Sequence, residues 1–290
     1  MAQGVFPARK ITPAFGGLLS SVKVIEHDEG DDRWANGPVS WDSNVCPSEL
    51  ILADFCSNSD RGVIASTDSL AAYTYPFGIV TNYVCLTPGL NTEERREIAI
   101  KQLEAGTQKA VERELWAGQI AQASNRLDVP FLMDDQSVDL TGGGSVSVAV
   151  GVAKLEQGLA DLGLGTQGVI HLTRQVAILA RDRGVIDIVD DKLVTALGTP
   201  VVAGVGYDPS LTPTAPAFAP VPSPSPFGPQ PDTQYGFATG PVYVHLGVPK
   251  STGEYFDHET NTMSVLADRP AVVYWDSCAT FSVAMDANPS

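Results

Sequence analysis

The sequence predicts an α+β protein with one long helix, a β-rich stretch before it, a compact α/β unit after it, and strands that return near the end. Three observations carry this. Residues 91–118 read as a single long helix with clear stops at both ends. Residues 145–207 alternate helical and strand patterns over short distances. Residues 233–290 hold three runs of β-favouring residues, GPVYVHL, AVVYW and CATFSVAM, which need earlier strands to pair with.

A chain of 290 residues, 43% of them hydrophobic, has ample material for one or two cores. Its 18 Lys and Arg stand against 34 Asp and Glu, for a formal charge of −16. A nucleic-acid-binding surface needs clustered basic groups, so this balance argues against one. Cys46, Cys56, Cys85 and Cys278 are scattered and form no C-x-x-C pair. They read as small buried thiols in a reducing cytoplasm, not as a disulfide framework or metal set. No run of about 18 apolar residues is present, and the opening MAQGVFPARKITPAFGG has no apolar core of signal-peptide kind. No membrane contact is expected.

Residues 1–40 read as an extended N-terminal arm with one short strand, Ser21–Ile25. The acidic run from His27 to Asp32 lacks the ligand spacing of a calcium loop and reads as a solvated turn. Residues 41–90 are strand and turn. Short apolar runs at Leu50–Phe55 and Gly62–Ala65 precede a longer one, Ala71–Leu86, which Pro76 and Gly78 break into an edge strand or bulged hairpin. Pro88-Gly89 turns the chain into the long helix.

That helix is capped by Asn91 or Thr92, with Glu93 and Glu94 at its positive end and Glu94 placed for a capping box on Asn91. Gly118 is a natural stop. About 26 residues give a rod of roughly 40 Å. Its apolar stripe is thin: Ile100, Leu103, Ala110, Val111 and Leu115, with Gly106 and Thr107 between them. Such a helix packs on one side only. Arg95, Arg96, Lys101 and Arg113 lie on its charged surface, which is left for water or for other chains.

Gln119–Asp128 adds a short helical turn, Pro130-Phe131-Leu132 begins a loop, and Gly142-Gly143-Gly144 reads as a flexible joint. Asp139-Leu140-Thr141-Gly142 approaches the aspartic-protease Asp-Thr-Gly turn, but the inserted Leu breaks it. A helix runs from Ser147 to Leu162. Val169–Leu172 is a buried strand, and Thr173 caps a second helix, Arg174–Arg183, closed by Gly184. Leu193–Ala196 and Pro200–Val205 are strands. Gly163–Gly168 spells GxGxxG, but helix precedes it and strand follows, the reverse of a dinucleotide site, so it is a turn. His171 reads as a hydrogen-bonded structural histidine; the rival reading is a general base, and no nucleophile motif accompanies it. His27, His171, His245 and His258 have no metal-ligand spacing. No catalytic, cofactor-binding or metal-binding residues are therefore assigned. Residues 208–232 carry nine prolines and form a long extended loop, suited to lying against a neighbour. Pro249–Met263 is a polar excursion before the last strands.

The order of these elements resembles that of the tailed-bacteriophage major capsid proteins with the Hong Kong 97-type fold, shared with encapsulins. The resemblance rests on the spine helix ending in Glu114-Leu115-Trp116-Ala117-Gly118. It rests also on the helix–strand–helix unit from Gly168 to Gly184, on Leu197-Gly198-Thr199-Pro200-Val201-Val202, and on Arg269-Pro270-Ala271-Val272-Val273. It implies an arm over 1–40, an extended β-rich loop over 41–90, and a peripheral domain over 91–145 and 236–290. An axial α/β domain over 146–235 would carry the proline-rich loop. It implies a non-enzymatic structural subunit that assembles into hexamers and pentamers around double-stranded DNA. Cement, portal or scaffold proteins are the other implied partners, and the virion, assembled in a bacterial cytoplasm, the implied location. Alternatives are a penton, minor capsid or tail protein, an encapsulin-like shell, or a cytoplasmic α/β enzyme. No crosslinking Lys/Asn pair or maturation-protease site aligns, and a chain starting at Met1 is expected to lose no prodomain.

Overall fold

The computed structural model describes residues 12–31, 33–42, 71–86, 91–126, 129–134, 137–211, 232–276 and 280–288. The apolar runs at 50–55 and 62–65, the Pro88-Gly89 turn, most of the proline-rich stretch, and Cys46, Cys56 and Cys278 lie outside them. In chain order, a single helical turn α1 (Leu18–Ser21) leads into β1 (Lys23–Glu26), a 3₁₀ turn at Arg33–Asn36 and β2 (Val39–Asp42). Then come β3 (Ala71–Thr74), β4 (Phe77–Leu86), the spine helix α2 (Thr92–Ala117) and the short α3 (Gln119–Ala123). β5 (Val138–Asp139) and β6 (Val146–Ser147) frame the glycine loop. α4 (Val148–Asp161), β7 (Val169–Thr173) and α5 (Arg174–Asp182) form the helix–strand–helix unit. β8 (Ile186–Val189), β9 (Lys192–Thr195) and β10 (Val201–Gly204) follow. The last strands are β11 (Thr233–Thr239), β12 (Val242–Leu246), β13 (Lys250–Asp257), β14 (Thr262–Trp275) and β15 (Phe281–Asp286).

Two sheets organise these elements. The first is built on β14, fourteen residues long. β4 runs antiparallel along one edge of it from Thr262 to Ala271. The other edge is shared: β13 covers Thr262–Asp268 and β12 covers Ala271–Trp275. Pro270 sits in the gap between those partners, where the missing N–H of a proline breaks no ladder on that side, and its carbonyl accepts from Gly247 N. β1 adds parallel to β12. The second sheet runs β10-β7-β11-β15, with β5 and β6 parallel to β15. Only β10 and β7 are parallel within the first three strands.

Each sheet has its own core. Leu103, Val111, Leu115 and Trp116 of the spine pack with Val244, Val265, Ala267 and Val273 of the first sheet. Val152, Leu155 and Leu159 of α4 and Val176 and Ala180 of α5 pack with Ile170, Leu172, Val283 and Met285 of the second. The predicted return of the late strands beside the long helix is what the structure has. Two expectations need correction. Of the two readings of Ala71–Leu86, the hairpin is overturned and the edge strand holds: the break at Tyr75-Pro76 sends β3 to β2, and β4 lies along β14 at the edge of the first sheet. The polar stretch Pro249–Met263 is mostly strand, because β13 needs only backbone pairing to β14 and leaves its side chains largely in solvent. The expected strand over Ser21–Ile25 is present as β1, which joins the first sheet, and Leu18 ahead of it is fully buried. Phe131 and Leu132 do open a loop, and with Met133 they are core residues.

Candidate subunit surface

The spine begins as its sequence dictates. Asn91 Oδ1 accepts from Glu94 N at 2.9 Å, and Asn91 N donates to Glu94 Oε2 at 2.8 Å, a complete capping box. It ends at Gly118, in the left-handed conformation at φ 57°. Glu114 caps the next helix by accepting from Ile120 N and Ala121 N, and burial raises its carboxyl above the usual range. The buried stripe is Arg95, Ala99, Leu103, Thr107, Val111 and Leu115, joined by Gln108, Glu112 and Trp116. Ile100 and Ala110 are only half-buried.

Gln108 and Glu112 are where the helix holds two distant segments. Glu112 Oε1 accepts from Leu18 N at 2.8 Å and from Gln108 Nε2 at 2.9 Å, while Oε2 accepts from Gly206 N at 2.7 Å. Gln108 Oε1 accepts from Ala14 N at 2.8 Å. Desolvation raises the Glu112 carboxyl above its ordinary value, and these bonds oppose that rise. Only an acceptor-only group suits three converging donors; a glutamine would turn an amide N–H toward one of them. Gly206 packs so close that a Cβ there would lie 2.5 Å from Lys109 O. Behind it, Trp116 Nε1 donates to Asp208 O, and its ring stacks on Tyr207 at 4.3 Å.

His171 lies fully buried in β7. Its Nδ1 meets Tyr207 Oη at 2.8 Å and its Nε2 meets Thr239 Oγ1 at 3.0 Å. Burial alone pushes its pKa down to about 3, and the Thr239 hydroxyl beside it donates to the Gly240 carbonyl. It is the structural histidine, neutral and bound on both nitrogens. The Gly163–Gly168 segment is the turn between α4 and β7, as its context required. Asp139 accepts from Thr141 Oγ1, Thr141 N and Gly143 N and so shapes the glycine loop; these bonds lower its pKa, and it is exposed. Thr199 of the Gly-Thr-Pro-Val-Val segment is buried and donates to Glu156 Oε2 at 3.0 Å, and Val201 and Val202 are fully buried in β10. No group of three metal-ligating side chains exists among the described residues, and no described helix is long and apolar enough to cross a membrane.

What remains is surface. The spine's outer side is exposed at Glu93, Glu94, Arg96, Glu97, Gln102 and Lys109. Three of its cations have partners within the chain: Arg96 Nε pairs with Glu254 at 3.0 Å, Lys101 with Glu97 at 3.3 Å, and the buried Arg95 donates to Thr92 Oγ1. The Arg96 partner was not foreseen because β13, which carries Glu254, was not visible as a strand. Arg113 is half-buried.

No family model matches the chain, and no curated protein matches it by sequence. Solved structures do match. Over 99% of its length the chain superposes on the capsid subunit of an empty GTA particle, covering 95% of that chain at TM-score 0.52 and 10% identity. It superposes likewise on the holo-SrpI encapsulin of Synechococcus elongatus PCC 7942, over 99% of this chain and 93% of that one, at TM-score 0.54 and 11% identity. The fold is a capsid-shell fold. The native GTA capsid gives a TM-score of 0.50 over 99% of this chain. At this identity, the shared architecture is kept by different side chains.

Proposed function

We propose that the chain is a structural, non-enzymatic subunit that assembles with copies of itself into the closed icosahedral head of a phage-type particle enclosing double-stranded DNA. The observation that carries this is the end-to-end correspondence with shell subunits, which leaves no described segment over for a separate catalytic module. In this reading residues 91–145 and 236–290, which hold the spine and strands β12 to β14 of the first sheet, form the peripheral domain of a Hong Kong 97-type subunit. Residues 146–235 form the axial domain, 41–90 the extended loop and 1–40 the arm. Capsomers of six and five copies build the lattice, and portal, scaffold or cement proteins complete it. DNA is enclosed without specific binding, as the charge of −16 suits. Thin interfaces repeated around a rigid shell give stability by multiplicity. A second reading, a protein-filled compartment, is favoured by the encapsulin match alone.

Electron microscopy with mass photometry on the purified full-length protein tests the shell. Closed particles or rings of many subunits are expected. A stable monomer or dimer at high concentration, across a range of salt, would sink it. Particles taken from the native host separate the two readings: nuclease-protected DNA marks a head, and a protein cargo without DNA marks a compartment.

A further inference from the structure

Along β12 the side chains alternate. Val242, Val244 and Leu246 face the core under the spine, so Tyr243 and His245 face the other way. That outer face is covered by residues 27–42. Trp34 stacks on His27 with ring centroids 4.6 Å apart, His27 on His245 at 5.1 Å, and Trp41 on Tyr274 at 4.1 Å. A hydrogen-bond chain runs through the stack. Asp31 Oδ2 lies 2.9 Å from His27 Nδ1, His27 Nε2 lies 2.9 Å from His245 Nδ1, and His245 Nε2 lies 3.4 Å from Tyr274 Oη.

We propose that the His27–His245 pair is an acid-operated latch that holds residues 27–42 on the sheet and releases them when both imidazoles are protonated. The logic is a count of protons. With both rings neutral, Asp31 fixes the His27 proton on Nδ1, so His27 Nε2 accepts from His245 Nδ1–H and His245 Nε2 accepts from Tyr274. With one ring charged, the neutral ring of the pair can still accept from it, and the hydrogen bond between them remains intact. A second proton leaves two N–H groups pointing at each other across 2.9 Å, on two cations. No tautomer relieves that. The other charges facing the pair act in the same direction: Lys23 of β1 lies 5.8 Å from the Tyr243 ring beside His245. From β14 only Tyr274 reaches the pair, and it stays a neutral phenol because burial, Tyr243 and Asp276 all raise its pKa. Burial, His27 and Lys23 lower the His245 pKa, which places the second protonation below the ordinary histidine range.

Hydrogen–deuterium exchange on the full-length protein tests the latch. Between about pH 7.5 and about pH 4.5, after correction for intrinsic exchange, wild-type peptides covering 27–42 are expected to lose protection roughly tenfold or more. The loss is read as the excess over peptides covering β7, whose protection falls only with the global stability. His245→Gln can donate or accept at His27 but cannot charge, so its 27–42 segment should stay protected throughout. If that variant fails to fold, His27→Gln removes the other proton site and gives the same reading. Wild-type protection that is unchanged by acid, or release of the glutamine variant at the same pH as wild type, overturns the proposal.

Discussion

Among single residues, His171 and Glu112 show how far side-chain identity can be read without the fold. The sequence marked His171 as structural because no nucleophile motif accompanied it, and its two hydroxyl partners bear that out. Those partners, Tyr207 and Thr239, lie 36 and 68 residues away, so they could not be named in advance. Glu112 sits in a charge-rich helix, and nothing local marks it as buried. Its real neighbours, Leu18 and Gly206, are each 94 residues distant, and no helical periodicity reports that. The buried histidine has a consequence for acid stability. Its folded pKa of about 3 lies below the unfolded value, so the unfolded chain takes up the proton first. The stability it carries is complete above about pH 6.5 and falls by about 1.4 kcal/mol per pH unit from there toward its folded pKa. His171→Gln, which keeps hydrogen-bonding capacity and cannot charge, should flatten that dependence between about pH 6 and 4 in urea titrations. Equal slopes for variant and wild type would mean His171 is reached by protons without unfolding.

Elements were legible where local signals suffice. The spine's capping box and glycine stop, the helix-strand-helix unit and the Thr173 cap all follow from short-range chemistry, and Thr173 Oγ1 does accept from Val176 N. Strands stabilised only from the side were not legible. β13 carries no apolar alternation because neither of its faces is deeply buried, and β8 was passed over between helix and hairpin turn. The spine's end offers a sharp test. A Cβ on Gly118 would stand 2.4 Å from Phe131 Cδ1, and the backbone there is at φ 57°. Gly118→Ala should lose roughly 1–3 kcal/mol from strain and overpacking together. The urea midpoint measures it; no change would mean the α2–α3 corner rearranges freely.

The whole molecule was readable as a layout before it was readable as contacts. Element order pointed to a capsid-type architecture, and the superpositions on shell subunits agree with it. What the order did not give is the division of labour along β14, since the pairing of one long strand with three others depends on register. At this scale the charge of −16 governs association. Like-charged subunits repel over a Debye length, so raising salt from about 50 to about 500 mM should speed assembly followed by light scattering. Rates independent of salt would show that charge is not the barrier. β14 also sets how the subunit carries a load. Because β4 flanks one edge and β13 and β12 follow each other along the opposite one, tension applied along β14 is opposed by both ladders in shear, with many hydrogen bonds strained together. A hairpin pulled open from its end gives way one bond at a time; this strand behaves as a tie-rod. In the container proposed above, internal pressure becomes tension in the wall, and a strand held along both edges resists tension along its axis.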